Sequence, residues 1–241
     1  METFRVQVTD SQLADLHARL RNTRWPDRET VSDWSQGIPL GYMRELVDYW
    51  LNRYDWRARE ARLNSLPQFR ATISGLGIHF YHVRSAHPQA VPLVLTHGWP
   101  GSVVEFLNVI GPLTAPELHG GDSADAFHVI CPSLPGYGFS DKPIEPGIGI
   151  ERIAALWDEL MVQVGYPAYL AQGGDWGAAV TTQIAVQNLG HCRGIHLNFP
   201  IVSPPAAAIA NPTPADKIAF AARKRHAAHE TEQHVGGGED G

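Results

Sequence analysis

The chain has 241 residues, a length that can bury one full hydrophobic core and leave room for an extension. Charged residues make up only 18% and the formal net charge is -6, which argues against a nucleic-acid-binding protein with its clustered excess of Lys and Arg. The N-terminus lacks the apolar segment of a signal peptide, and no apolar run reaches the roughly 18 residues of a membrane span. Two cysteines, Cys131 and Cys192, cannot form a disulfide framework, so we expect a soluble, cytoplasmic protein without a nucleic-acid or membrane partner.

Residues 1–66 are predicted to form a helical N-terminal arm. Thr9 and Gln12 match a capping box, and leucines then recur at helical spacing. A second amphipathic helix follows the break at 37–39, and a third ends before Pro67. The arm contains the tryptophans Trp25, Trp34, Trp50 and Trp56. Because each buried indole contributes kilocalories of stability, we expect this aromatic surface to be packed.

Residues 67–205 have the pattern of an α/β domain. Two strand-like runs flank the Gly75–Gly77 turn and predict a hairpin. Further along, apolar strand-like runs (PLVLTHG, FHVICPSL, AYLAQ and GIHLNF) alternate with helical ones (VVEFLNVIGPL, IERIAALWDELMVQVG and AAVTTQIAVQNL). This alternation predicts a mostly parallel sheet with helices on both faces. In such sheets the chemistry lies at the carboxyl ends of the strands.

The pentapeptide GGDWG, residues 173–177, lies between a predicted strand and a predicted helix. In a nucleophile elbow this pattern normally has serine at its centre, where this chain has Asp175. A free aspartate, with a pKa of about 3.9, is already ionised at neutral pH, and it attacks strained sp³ carbon better than a carbonyl. Asp175 is therefore the predicted nucleophile. The alternative is an aspartate that only caps the following helix.

Attack by a carboxylate gives an ester, and hydrolysis of that ester needs two hydrogen-bond donors for an oxyanion. The predicted donors are the backbone N–H groups of Trp176, directly after the nucleophile, and of Trp99 in the segment HGWP. The two indoles are predicted either to line an apolar substrate pocket or to pack in the core. His97 is predicted to be a structural residue of this loop.

No cofactor and no metal site are predicted from the remaining motifs. GGDWGA is not a dinucleotide-binding fingerprint, and no Walker lysine follows a glycine-rich loop. In the tail RHAAHETEQH, the spacing of His229 and His234 would put them on different faces of a helix, and the zinc-protease pattern H-E-x-x-H is missed by one residue. A solvated polar tail is the favoured interpretation.

Three segments in this order, HGWPGS (97–102), PSLPGYGFSDKP (132–143) and GGDWGA (173–178), resemble the epoxide hydrolases of the α/β-hydrolase family. The helical arm, with its YDWR, LN and LPQF, resembles the N-terminal segment of their microsomal-type branch, and the resemblance extends to about residue 205.

The resemblance implies a detoxifying hydrolase that acts on a small-molecule epoxide. Asp175 would open the epoxide to an alkyl-enzyme ester, water would release a diol, and Trp99 and Trp176 would contact both the substrate and the developing charge. It also implies a cis peptide bond between Trp99 and Pro100.

The same resemblance implies parts that the sequence lacks. In the family, a lid with tyrosines, an acid and a histidine base follow the sixth strand, which GIHLNF resembles here. Residues 206–241 are predicted to be the start of the lid and a polar, disordered tail, and the base is not assigned to His226, His229 or His234. We therefore expect a shortened family member with impaired or single turnover. The exposed edge of the sixth strand predicts a homodimer.

Two other functions stay open. A haloalkane dehalogenase shares the Asp–Trp elbow, but it tends to have Asn or Glu where this chain has Trp99, and it lacks the helical arm. A non-catalytic remnant that acts as a binding module is the second alternative, favoured by the missing lid and base.

Overall fold

The computed structural model describes the backbone of residues 1–200 and 204–235, and side chains as far as residue 225. The chain divides into two compact units. One consists of Met1–Gln7 and Arg57–Ile201, and the other of Val8–Trp56 and Val202–Gly241. The sheet and the segments with candidate chemistry belong to the first unit.

A seven-stranded mixed sheet forms the centre of the first unit. Its strands are β1 (Glu2–Phe4), β2 (Gln68–Ile73), β3 (Leu76–Val83), β4 (Val91–Thr96), β5 (Phe127–Pro132), β6 (Tyr169–Gly173) and β7 (Cys192–Leu197), in the spatial order β1-β2-β3-β5-β4-β6-β7. The pairs from β1 to β5 are antiparallel, and β5, β4, β6 and β7 are mutually parallel. The predicted hairpin and the predicted parallel core are both confirmed.

The α-helices follow the predicted alternation. They are α1 (Asp10–Arg21), α2 (Leu40–Asn52), α3 (Trp56–Leu63), α4 (Ile110–Thr114), α5 (Ile150–Gln163), α6 (Trp176–Gln187), α7 (Ala206–Ala210) and α8 (Pro214–Val235). Short 3₁₀ helices lie at Val103–Phe106, Pro116–His119 and Ser123–Asp125. The α/β class is confirmed, with helices packed on both faces of the sheet.

Each face of the sheet has its own hydrophobic core. On one face the apolar sides of α5 and α6 cover Phe80, Val94 and Ile130, and the largest buried side chain there is Trp157, whose indole N–H donates to Oγ1 of Thr96 at 3.1 Å. On the other face, Val103, Ile110 and their neighbours cover Tyr81, Leu95 and Val129. Burial on both sides explains why these strands are continuously apolar.

Two elements of the first unit differ from the prediction. Glu2–Phe4 adds an antiparallel strand beside β2, whereas the first strand was expected at residue 68. A strand of this length has too few residues to show an alternating pattern. The predicted single helix over 103–113 is divided into a 3₁₀ turn and α4. Pro112 has no N–H to donate, so the helix restarts at Ile110 and holds the proline in its first turn.

The arm helices α1, α2 and α3 confirm the helical prediction for residues 1–66. The capping box is present: the Gln12 N–H donates to Oγ1 of Thr9 at 3.3 Å, and the Thr9 N–H donates to Oε1 of Gln12 at 2.9 Å. The expected packing of the indoles is wrong for Trp34 and Trp50, which are 57% and 43% exposed. The helices cover each other sparsely, because α1 buries no residue and α2 buries only its first.

Helix is present over Ala206–Ala210, in the predicted start of the lid, and over Pro214–Val235, which continues into the segment predicted to be a disordered tail. The physical reason lies in local signals. Thr213 and Asp216 cap the start of α8, since the Asp216 N–H donates to Oγ1 of Thr213 at 3.2 Å and the Thr213 N–H donates back to Oδ2 at 2.9 Å. Alanines and straight-chain residues then favour helix. Residues 236–241 of the predicted tail lie outside the described residues. In the part of the chain that the structure describes, no helix is long and apolar enough to cross a membrane.

Candidate active site

Asp175 occupies the sharp turn between β6 and α6. Its backbone has φ 51° and ψ -128°, a conformation that non-glycine residues rarely adopt and that occurs where the surrounding structure enforces it. The carboxylate makes no capping hydrogen bond to α6. The helix-capping alternative is therefore wrong, and the side chain is directed elsewhere.

The carboxylate instead accepts a hydrogen bond from the loop after β4. The Trp99 N–H donates to Oδ1 of Asp175 at 2.8 Å, across 76 residues of sequence. β4 and β6 are adjacent parallel strands, so the segments that follow them meet at the carboxyl edge of the sheet. The peptide bond between Trp99 and Pro100 is cis, as predicted.

Glycines permit this close approach. A Cβ on Gly98 would collide with the carboxylate of Asp175, and one on Gly177 would collide with the carbonyl oxygen of Thr96. At Gly177 the elbow packs against the backbone at the end of β4, and at Gly98 the loop backbone packs against the side chain of Asp175, so neither position has room for a Cβ.

The second predicted donor, the N–H of Trp176, belongs to the first residue of α6, directly after Asp175. The indoles of Trp99 and Trp176 are 66% and 54% exposed, so the alternative of core packing is wrong for both. Both residues belong to the segments that meet at Asp175, since Trp176 follows it in the chain and the backbone of Trp99 bonds to its carboxylate.

His97 is buried and both of its ring nitrogens are engaged. Nδ1 lies 3.0 Å from the carbonyl oxygen of Gly98, and Nε2 accepts from the Leu134 N–H at 3.1 Å. Nδ1 must then carry the proton of a neutral imidazole, and burial lowers the pKa of His97. The ring ties the loop after β4 to the loop after β5, which agrees with the structural role predicted for it.

Hydrogen bonds and an ion pair hold the loop after β5 in place. The hydroxyl of Ser140 donates to the carbonyl oxygen of Ser133 at 2.7 Å, and the carboxylate of Asp141 accepts from the Gly77 N–H at 2.8 Å and pairs with Arg70. Sequence reasoning identified this segment as a motif, and the structure shows that its polar residues brace the loop that His97 contacts.

Two polar residues near the elbow were missed by the sequence reasoning. Asn198 follows β7, and its Oδ1 accepts from Nε2 of Gln172 at 3.2 Å, one strand away from the elbow. Glu105 lies in the 3₁₀ turn after the HGWP loop, and burial raises the pKa of its carboxyl group. The spacing Ser102-x-x-Glu105 was a visible signal, because it matches a capping box. Both residues border a cavity of about 760 Å³ along the face of β4, β6 and β7.

Among the described side chains, no cluster of His, Cys, Asp and Glu could hold a metal ion. The side chains of His226, His229 and His234, on which the sequence argued against a metal site, lie outside the described residues.

The fold and the elbow define the class of protein, an α/β-hydrolase fold with an aspartate at the sharp turn between β6 and α6. Comparison with known families agrees. The family described as "Epoxide hydrolase N terminus" matches residues 1–106, and the family described as "alpha/beta hydrolase fold" matches residues 91–236.

Individual relatives narrow the class. The chain is 55% identical over 90% of its length to a provisionally named epoxide hydrolase of Stigmatella aurantiaca, of which it covers 50%. It is 38% identical over 83% of its length to epoxide hydrolase 1 of Sus scrofa, of which it covers 45%. The chain thus spans about half the length of the curated relatives it matches.

Solved structures give the same result. The juvenile hormone epoxide hydrolase of Bombyx mori is similar with a TM-score of 0.79 and 33% identity, over 87% of this chain and 50% of that one. The Aspergillus niger epoxide hydrolase is similar with a TM-score of 0.78 and 36% identity, over 91% of this chain and 58% of that one. The chain belongs to the epoxide hydrolase family.

Proposed function

We propose that the chain opens a small-molecule epoxide by nucleophilic attack of Asp175. A carboxylate oxygen bonds to one ring carbon, the bond from that carbon to the epoxide oxygen breaks, and the oxygen, still bonded to the other ring carbon, becomes an alkoxide that takes a proton from water. The product is a hydroxyalkyl ester of Asp175. The observation that carries this proposal is the Asp175 carboxylate, held at a positive-φ elbow by the Trp99 N–H.

In the second half of the reaction, water attacks the ester carbonyl, the diol leaves and the carboxylate is regenerated. The oxyanion of the tetrahedral intermediate would be bound by the backbone N–H groups of Trp99 and Trp176. The existing bond from the Trp99 N–H to Oδ1 of Asp175 supports the first of these donors. The exposed indoles of the same two residues would contact the substrate.

We propose further that this ester is long-lived in the 241-residue chain. Hydrolysis needs a base to activate water, and the ring nitrogens of His97 are both engaged. His191 directly precedes β7 and bonds to Asp158. It therefore lies at the amino end of the parallel strands β6 and β7, whereas the elbow follows the carboxyl end of β6. His196 is exposed on β7 in register with Gln172. The experiment must therefore test directly whether His196 acts as the base.

Intact-mass spectrometry after incubation with styrene oxide tests the proposal. We expect the protein to gain the mass of one substrate, mapped to the peptide that contains Asp175, with little diol released. A general acid that protonates the alkoxide typically contributes about 10² to 10⁴ in rate, so the rate of adduct formation shows whether this chain supplies such an acid. Freshly prepared Asp175→Asn should gain no mass.

The other outcomes separate the remaining functions. Halide release from a haloalkane, in place of epoxide opening, would identify a dehalogenase. If neither an epoxide nor a haloalkane forms an adduct, a non-catalytic binding module is the remaining function. Sustained diol formation would contradict the long-lived ester, and its loss in His196→Gln would then assign the base to His196.

We also propose that two copies associate through β7. β7 pairs with β6, and in the described part of the chain no further strand pairs with its other side. Ile195 on this strand is 40% exposed. An unprotected edge strand is a template for pairing with a second chain.

A further inference from the structure

Asn198 lies at the same edge of the sheet as the elbow, although no part of the reaction described above uses it. In the parallel pair of β6 and β7, Gly173 is in register with Leu197. One position further along each strand, Asn198 therefore lies beside Gly174, the residue that precedes Asp175. The side chain of Asn198 can thus act on the backbone that leads into the elbow.

The carboxamide of Asn198 packs directly on Gly174. The three heavy atoms nearest to a Cβ built on Gly174 all belong to this carboxamide, and Oδ1 is the nearest at 2.6 Å, followed by Nδ2 at 3.2 Å. Gly174 is not among the glycines with a positive φ, so its φ angle does not restrict the position to glycine. The carboxamide of Asn198 is therefore what leaves no room for a side chain at position 174.

A hydrogen bond orients this carboxamide. Nε2 of Gln172 donates to Oδ1 of Asn198 at 3.2 Å. Gln172 belongs to β6, and Asn198 directly follows β7. The hydrogen bond therefore ties the carboxyl ends of the two strands together at the point where the elbow begins.

The elbow needs contacts of this kind because its conformation is strained. The φ of 51° and ψ of -128° at Asp175 persist only where the surrounding structure enforces them. The neighbours of β6 in the sheet are β4 and β7. On the side of β4, Gly177 packs against the carbonyl oxygen of Thr96, and on the side of β7, the carboxamide of Asn198 packs against Gly174. The turn is thus held from both neighbouring strands.

We propose that Asn198 is a positioning residue of the elbow, whose carboxamide restricts the backbone at Gly174 and thereby fixes the direction of the Asp175 side chain. In this direction the carboxylate accepts from the Trp99 N–H at 2.8 Å. The inference rests on the proposed function for its effect on the rate of alkylation. Its effect on the turn rests on the contacts alone.

An exchange of side chains between the two positions tests this contact. Asn198→Ala removes the carboxamide, and Gly174→Ala adds a methyl group that collides with it. In the double variant, the methyl group takes the space that the carboxamide has left. Val186→Ala is the matched control, because Val186 is 69% exposed on α6, the helix that follows the elbow.

The effects of the two substitutions on alkylation by styrene oxide should not be additive. We expect Asn198→Ala to react about tenfold more slowly than the unsubstituted protein and Gly174→Ala about 10²-fold more slowly, because misplacement of the reacting groups by up to about an ångström has effects of this size. The double variant should react about tenfold faster than Gly174→Ala, since the two positions are in contact. Val186→Ala should react at the unsubstituted rate. A double variant no faster than Gly174→Ala would overturn the proposal, as would an unchanged rate in Asn198→Ala.

Amide NMR spectra give a readout that needs no reaction and that a general loss of stability would not reproduce. In Asn198→Ala, the Trp99 amide proton should shift upfield and exchange faster with solvent, because its acceptor is displaced, while the amide protons of β5 and all of those signals in Val186→Ala stay unchanged. An unchanged Trp99 signal in Asn198→Ala would contradict the positioning role, and this measurement decides the matter if Gly174→Ala does not fold. If the unsubstituted protein forms no adduct, the proposed function fails, and the Trp99 signal still decides the role of Asn198.

Discussion

Buried histidine should make this fold sensitive to acid, and His79 offers the clearest test. Its side chain is fully buried on β3, with Nδ1 2.9 Å from Oγ of Ser133 and Nε2 3.0 Å from Oε1 of Gln68. Nε2 of Gln68 donates to the carbonyl oxygen of Leu63, which fixes the amide so that its oxygen faces the ring. Burial, together with the charge of Arg70, lowers the pKa of His79 from 6.5 to about 4.

The sign of the effect follows from proton binding. Above pH 6.5 His79 is neutral in both states, so it contributes no pH dependence. As the pH falls towards 4, the unfolded chain binds a proton that the folded chain excludes, and the free energy of unfolding decreases. A pKa difference of roughly 2.5, at about 1.36 kcal/mol per pH unit, amounts to about 3 kcal/mol over this range. This loss is a large share of the free energy of unfolding of an ordinary domain, which is roughly 5 to 15 kcal/mol.

The test compares denaturant unfolding between pH 7.5 and 4.5 for the unsubstituted protein and for His79→Gln. At pH 7.5 the variant should be less stable by about 1 to 3 kcal/mol, because a buried hydrogen bond is lost. Below pH 6.5 its stability should fall less steeply, by about 1.36 kcal/mol per pH unit. His119→Gln, at an exposed position, is the control. Parallel curves for His79→Gln and the unsubstituted protein over this range would refute the reasoning.

Three further predictions concern the elbow, the core and the sheet edge. Gly98→Ala should slow alkylation of Asp175 by about 10²-fold in a folded protein, because the new Cβ displaces the carboxylate, and unchanged alkylation would contradict this close approach. Trp157→Phe should lower the free energy of unfolding by about 1 to 3 kcal/mol in urea titrations, because Oγ1 of Thr96 loses its buried donor; no loss would show that this bond contributes nothing. Size-exclusion chromatography with light scattering should show a dimer that Ile195→Lys converts to monomer, and a monomeric unsubstituted protein would rule out association through β7.

The elbow could be predicted from sequence because its requirements are local. Gly173 and Gly177 surround Asp175, a strand pattern precedes it and a helix pattern follows. The strand order was not encoded locally, yet it did not need to be: in a parallel sheet every loop after a strand reaches the same edge. The Trp99 N–H therefore faces the aspartate as predicted, although the two residues are 76 positions apart in the sequence.

Other features depended on tertiary contacts that no local pattern reports. The tryptophans of the arm have the composition of a buried surface, but burial requires a partner element, and α1 and α2 leave Trp34 and Trp50 exposed. The strand at Glu2–Phe4 exists because the edge of β2 is available to it. For Glu105, the capping-box spacing was visible, while the approach of its carboxylate to Gly101 depended on the path of the loop before it.

The position of Asp175 explains why a carboxylate can replace serine on this scaffold. A serine needs a base to remove its proton before it attacks, so a serine at this turn cannot react without a histidine in place. An aspartate is already ionised, and the elbow has only to hold it, which the Trp99 N–H and the strained turn accomplish together. The two halves of the proposed reaction therefore make unequal demands on the protein. Alkylation draws on groups that β4 and β6 bring together, whereas hydrolysis of the ester requires a base delivered to the same edge of the sheet.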